Sequence, residues 1–182
     1  MSCTLTLGRK EPCKDTVGGL KAVYFTDFGD YGTVTETDDE ITDLTGTFTA
    51  FKYELKGNSS FEQAITSSRE NGTTFFDQTL TLTLKKLSKE TNKELKLLAY
   101  GRPHVAVEDY NGNVFVMGLQ HGAEVTGGTV STGAAMADLS GYTLTLNAQE
   151  TKAANFVNAP TAADPFAGMA SATVTVTEGT NS

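Results

Sequence analysis

TTFFDQTLTLTLKKL, residues 73–87, alternates threonine with leucine at a strict period of two, and GYTLTL, residues 141–146, repeats the pattern. In an extended chain successive side chains point to opposite faces. The spacing therefore puts Leu80, Leu82 and Leu84 on one face of a strand and Thr79, Thr81 and Thr83 on the other. About a sixth of the chain is threonine, far above ordinary usage. β-branched residues of this kind suit a pleated, half-buried surface and serve helices poorly. The chain is expected to be mainly β, a sandwich or small barrel of antiparallel strands with a long β-hairpin and one flanking α-helix.

With 182 residues the chain is long enough for one domain with a real core. Apolar residues make up 38%, which suits a protein with much polar sheet surface or a core completed by neighbouring subunits. The formal net charge is −8, and no lysine–arginine cluster forms a footprint for nucleic-acid phosphates. No apolar run reaches the roughly 18 residues of a membrane span. The N-terminus lacks the basic start and apolar core of a signal peptide, so synthesis and use in the cytosol are expected. Cys3 and Cys13 are expected as reduced thiols, with a local disulfide as the alternative.

Working outward from the alternating strand, residues 1–19 read as an extended arm and residues 20–28 as a strand apolar on both faces, hence central or covered. Residues 29–43 hold Asp30, Glu36, Asp38, Asp39, Glu40 and Asp43 and read as an acidic surface loop. Residues 48–55 alternate again. Asn71-Gly72 is a strong hairpin signal, because a type I′ turn needs positive φ at both central residues; a hairpin over about 61–84 follows. Phe61 and Ile65 could instead begin an amphipathic helix, but Ile65-Thr66-Ser67-Ser68 is poor helix material.

Residues 88–99, SKETNKELKLLA, predict a helix capped by Ser88 and ended by Gly101 and Pro103. Its Leu95 and Leu98 turn toward the core and Lys89, Lys93 and Lys96 toward water. Leu95 and Leu98 are expected to pack on the face carrying Leu80, Leu82 and Leu84. A second hairpin spans residues 104–119 around Asn111-Gly112. Residues 126–133 read as a glycine-rich mobile loop or subunit contact. Residues 151–168 read as a linker, and residues 172–177 as a last alternating strand that could pair away from the main body. The division expected is an arm at 1–19, a β domain at 20–157 and a C-terminal linker and arm at 158–182.

Chemical signatures are sparse. Residues 109–113, DYNGN, resemble the start of a calcium loop but lack its spacing and closing glutamate; a type I′ turn is the better reading. The acidic run at 35–40 suits a solvated loop better than a divalent-cation site. The glycine-rich stretch has no lysine after its last glycine and is not a P-loop. His104 and His121 read as hydrogen-bonded structural residues. No catalytic, cofactor or metal residues are assigned, and no enzymatic activity is expected.

The order of elements is arm, strand, acidic loop, long hairpin, helix, second hairpin, glycine loop, strand and C-terminal arm. With CKDTVGGLKAVY (13–24), FDQTLTLTL (76–84), NKELKLL (92–98), GRPHVAVEDYNGN (101–113) and VTGGTVSTG (125–133), it resembles the tail tube, or major tail, proteins of tailed bacteriophages. The likeness covers roughly residues 10–157. It implies a β-sandwich or small barrel flanked by one helix, in subunits that assemble into stacked hexameric rings. It also implies a virion protein assembled in the host cytoplasm, whose partners are itself and other tail proteins. DNA would meet it only in transit, without specific binding, and no membrane would be involved. On that resemblance the hairpin residues Phe61, Ile65, Asn71, Gly72, Phe75 and Phe76 are candidates for joining subunits. Candidates for the channel or outer surface are Glu36, Asp38, Asp39, Glu40, Glu62, Glu70 and Asp77. The alternative is a capsid-associated decoration or head–tail connector protein with a β-sandwich fold.

Overall fold

A computed structural model of the chain describes residues 7–179, so Cys3 lies outside the described residues, while Cys13 is exposed. Residues 7–18 carry no regular structure and are exposed. The protein is mainly β, with twelve strands in two sheets and a single helix among the described residues.

The strands are β1 (Leu20–Thr26), β2 (Val34–Thr37), β3 (Glu40–Leu44), β4 (Thr47–Glu54), β5 (Ser60–Ser68) and β6 (Thr73–Lys85), followed by α1 (Lys89–Tyr100). After it come β7 (His104–Asp109), β8 (Val114–Met117), β9 (Glu124–Ser131), β10 (Gly141–Glu150), β11 (Asn155–Val157) and β12 (Thr173–Glu178). The larger sheet runs β12-β4-β1-β7-β8-β11-β3-β2 and the smaller β5-β6-β10-β9.

The larger sheet cannot be flat. Only Thr45 and Gly46 join β3 to β4, yet four strands lie between these two in the sheet. Five inter-strand steps in a flat sheet measure about 24 Å, whereas three Cα–Cα steps reach about 11 Å. The sheet therefore curls until β3 and β4 face each other across a seam. Ala22, Tyr24, Ile41, Leu44, Phe48, Ala50, Ala106, Val116 and Val157, drawn from strands all round the curl, form one buried cluster inside it.

Gly46 sits on the seam with its N–H donating to Tyr31 O at 3.1 Å. A β-carbon there would collide with the Asp30 carbonyl oxygen, so the closing link has room only for glycine. Across the seam, the Ser171 N–H and hydroxyl donate to the two Asp43 carboxylate oxygens at 3.0 and 2.6 Å. Those hydrogen bonds favour the charged form and hold the Asp43 carboxyl below its ordinary range.

The second core lies between the outer face of this half-barrel and the smaller sheet. Val23, Phe25, Val105, Val107 and Met117 meet Leu80, Leu82, Leu84, Tyr142, Leu144 and Leu146 there. Strand β1 is apolar on both faces because one serves each core. Leu95 of α1 joins this core, and Leu98 packs at its margin. Ser88 accepts the Thr91 N–H at 3.1 Å as N-cap, and the Gly101 N–H closes the helix on Leu97 O and Leu98 O.

Several expectations are corrected. The acidic residues 29–43 are not a loop: they hold the β2–β3 hairpin, whose turn residues Asp38 and Asp39 both have positive φ (52° and 62°). Short polar aspartate side chains tolerate that left-handed region, so the type I′ turn is here. Asn71-Gly72 and Asn111-Gly112 are not type I′ turns, because only the glycine of each pair has positive φ. Asn71-Gly72 belongs to a four-residue loop closed by the Ser68↔Thr73 pair. The glycine-rich stretch is strand β9, paired along β10. Gly128 is needed there, since a β-carbon would meet Leu144 Cδ2 and Thr143 O at 2.9 Å. The expected linker supplies β11, and its Phe166, with the following Met169, is buried in the barrel core. Finally, β12 does not pair away from the body; it runs parallel to β4 from Thr173↔Thr47 to Glu178↔Lys52.

Candidate functional site

The smaller sheet has one face in the core and one face bare, and the register assigns the bare one. Leucines 80, 82 and 84 are buried, so Asp77, Thr79, Thr81, Thr83 and Lys85 of β6 point the other way. Opposite them stand Thr143, Thr145 and Asn147 of β10, then Thr129, Gly127 and Glu124 of β9. Ser60, Glu62 and Ala64 of β5 complete the surface. One cross-strand row, Glu62–Thr79–Asn147–Glu124, spans all four strands. Asn147 Nδ2 in that row donates to Asp77 Oδ1 at 2.6 Å.

Of the acidic candidates, Glu62 and Asp77 therefore share this polar face. Glu124 joins them and was missed, because the glycines that follow disguise its strand. Glu70 is exposed at the hairpin turn. Glu36, Asp38, Asp39 and Glu40 lie apart on the β2–β3 hairpin, where Glu36 receives Lys152 Nζ at 2.6 Å.

The β5–β6 hairpin has a fixed base and a bare tip. At the base, buried Gln78 accepts the Gly118 N–H at 3.1 Å and donates to Gln63 Oε1 at 3.2 Å, which also accepts the Ala154 N–H at 2.7 Å. Phe61 stacks on Phe115, which packs on Phe156. The last rung shared with β10 is Glu150↔Phe76. Beyond it, residues 73–75 pair only with residues 66–68. The tip thus projects by three strand residues and a turn, about 10 Å of strand. Ile65, opposite Phe76, is 68% exposed there; Phe75 and Phe76 are half-buried, and Asn71 and Gly72 are exposed.

Strands β5 and β9 are the two edges of this sheet, and among the described residues neither has a second neighbour. Several ionisable groups elsewhere are occupied locally. Glu108 holds Lys21 Nζ at 2.5 Å and the Tyr24 hydroxyl at 2.9 Å. Glu150 accepts the N–H groups of Gln120 and His121 at 3.1 and 2.9 Å. His104 Nδ1 lies 2.7 Å from Gly118 O and its Nε2 accepts the Gly29 N–H at 3.1 Å, an arrangement that suits the neutral ring. Asp109 is taken up by its own turn through the Asn111 and Asn113 N–H groups at 2.9 and 2.8 Å.

Among the described residues no group of three or more His, Cys, Asp or Glu is placed to hold a metal ion, and no helix is long and apolar enough to cross a membrane. No family model, no curated protein and no solved structure matches the chain.

Proposed function

We propose that this chain is a self-assembling structural subunit of the tail-tube kind, which forms stacked hexameric rings around a channel for DNA. The observation that carries the reading is the four-stranded, wholly antiparallel sheet with two free edges. Unpaired edges invite pairing with another chain. Because the four strands alternate in direction, β9 of one copy runs opposite to β5 of the next around a rotation axis along the strands. Edge-to-edge pairing then continues the antiparallel pattern and closes as a cyclic ring.

Six such sheets, with strands about 4.8 Å apart and tilted by roughly 40°, enclose a barrel about 48 Å across. A side-chain layer of roughly 5 Å on each wall leaves a channel wider than a DNA duplex. With the apolar face committed to the core, the threonine-rich face lines that channel. It carries Glu62, Asp77 and Glu124 against Lys85, so its charge repels phosphates and DNA passes without being held. The resemblance of the segments at 76–84, 92–98 and 101–113 to phage tail tube proteins supports the same reading.

Electron microscopy of the purified protein in negative stain, across a concentration series, tests it. Hollow rings or tubes are expected, together with duplex-DNA binding no stronger than a neutral control at low salt. A compact monomer under all conditions that is also absent from purified tails would overturn it, as would tight, salt-sensitive DNA binding. Isolated subunits bound to capsids would favour a decoration protein instead.

A further inference from the structure

We propose that Asn71, at the tip of the β5–β6 hairpin, is a site of spontaneous covalent modification, whereas Asn111, in the same Asn-Gly dipeptide, is protected by the fold. In the reaction the Gly72 backbone nitrogen loses its proton and attacks Cγ of Asn71. The carboxamide nitrogen leaves as ammonia and a five-membered succinimide remains. Solvent water then opens the ring at one of its two carbonyls, giving aspartate, or isoaspartate with the main chain running through the former side chain. One water enters and one ammonia leaves; no oxidant or catalyst is needed.

Three conditions must hold: a carboxamide free to turn back, an unengaged N–H on the next residue, and access for water. Asn71 meets all three. Both residues are exposed, and nothing lies within 4 Å of the side-chain position of Gly72. Among the described residues the Asn71 carboxamide has no hydrogen-bond partner and the Gly72 N–H donates to none; Asn71 is held only through its backbone N–H, to Ser68 Oγ at 3.3 Å. Glycine, lacking Cβ, is also the least hindered nucleophile.

Asn111 fails the first two conditions. Its Oδ1 accepts the Val17 N–H at 3.0 Å, and its Nδ2 donates to Val17 O at 2.8 Å and to Asp109 Oδ2 at 3.3 Å. The Gly112 N–H donates to Asp109 O at 3.4 Å. Opening these four hydrogen bonds before each attack slows Asn111 by about a hundredfold or more relative to Asn71. Conversion at Asn71 adds a carboxylate beside Glu70. The isoaspartate product also lengthens the backbone of a four-residue loop whose length fixes the Ser68↔Thr73 rung.

The test is peptide mapping by mass spectrometry of the folded full chain, incubated at mildly alkaline pH, beside the same chain in denaturant. In denaturant both dipeptides should convert at similar rates. In the folded protein Asn71 should convert to mixed isoaspartate and aspartate while Asn111 stays intact, and Asn71→Gln should remove the modified species. An Asn71 that survives in the folded chain but converts in denaturant would overturn the proposal, as would an Asn111 that keeps pace with Asn71.

Discussion

At the scale of single residues, the helix contributes through Leu95 more than through Leu98, since Leu95 is buried and Leu98 only packs at the core margin. Truncating a buried leucine costs about 2–5 kcal/mol, and each kcal/mol lowers the melting temperature of a chain this size by roughly 2–4 °C. Leu95→Ala should therefore melt lowest, Leu98→Ala in between, and Lys93→Ala at the level of the parent; equal effects from all three would show the helix face to be misassigned. His104 gives a pH signature. Burial pushes its pKa down, and Tyr31 stacks on the ring at 4.4 Å. With the folded pKa below the ordinary value of about 6.5, the unfolded chain binds the proton first. The contribution of His104 to stability is thus complete above about pH 6.5 and lost as pH falls toward its folded pKa. Imidazole resonances followed by NMR should place its midpoint below 6.5, and a midpoint above that value would refute the sign. Asn-Gly pairs misled at this same scale. Asn111 is claimed by Val17, 94 residues away in sequence, and local propensity cannot register such a partner.

At the scale of elements, strict alternation made the long hairpin and β10 legible, the Ser88 cap and the leucine face made the helix legible, and the turn at Asn111-Gly112 marked β7–β8. Strand β9 was not legible. Its glycines supply no alternation, and Gly128 is there so that Leu144 can approach. The β2–β3 hairpin was hidden because its turn is built from two aspartates among other acids. Half the polar face could be read from the threonines of β6 and β10; Glu124 could not, since its place depends on pairing to β10. In the proposed ring, edge strand β5 separates folding from assembly. Ile65 is mostly exposed, so Ile65→Lys should change stability by no more than about 0.5 kcal/mol. A lysine on an edge strand blocks pairing with another chain, and sedimentation should show the variant folded but unable to form rings. Ring formation equal to the parent would remove this part of β5 from the proposed subunit contact.

At the scale of the whole molecule, the segment from β11 to β12 closes the barrel, and composition concealed this because alanine, proline and glycine read as linker. β11 slots between β8 and β3, Phe166 and Met169 fill the interior, and β12 covers β4. A chain ending at Gly168 should therefore lose the cooperative melt of the parent, measured by circular dichroism and near-ultraviolet signal. An unaltered transition would mean that the last strand is an accessory after all. The curl itself was beyond the sequence, since it follows from a two-residue link set against a sheet order fixed by pairs far apart in the chain.

That link has a consequence for biosynthesis. β3 and β4 leave the ribosome early, but β11, which must lie against β3, follows roughly 110 residues later, about 5–20 s at ordinary elongation rates. Until then β3 can pair only with β2, and β4 only with β1, so the nascent protein carries an open, half-built barrel. A closed barrel is thereby reserved for molecules whose translation has run through the closing strands.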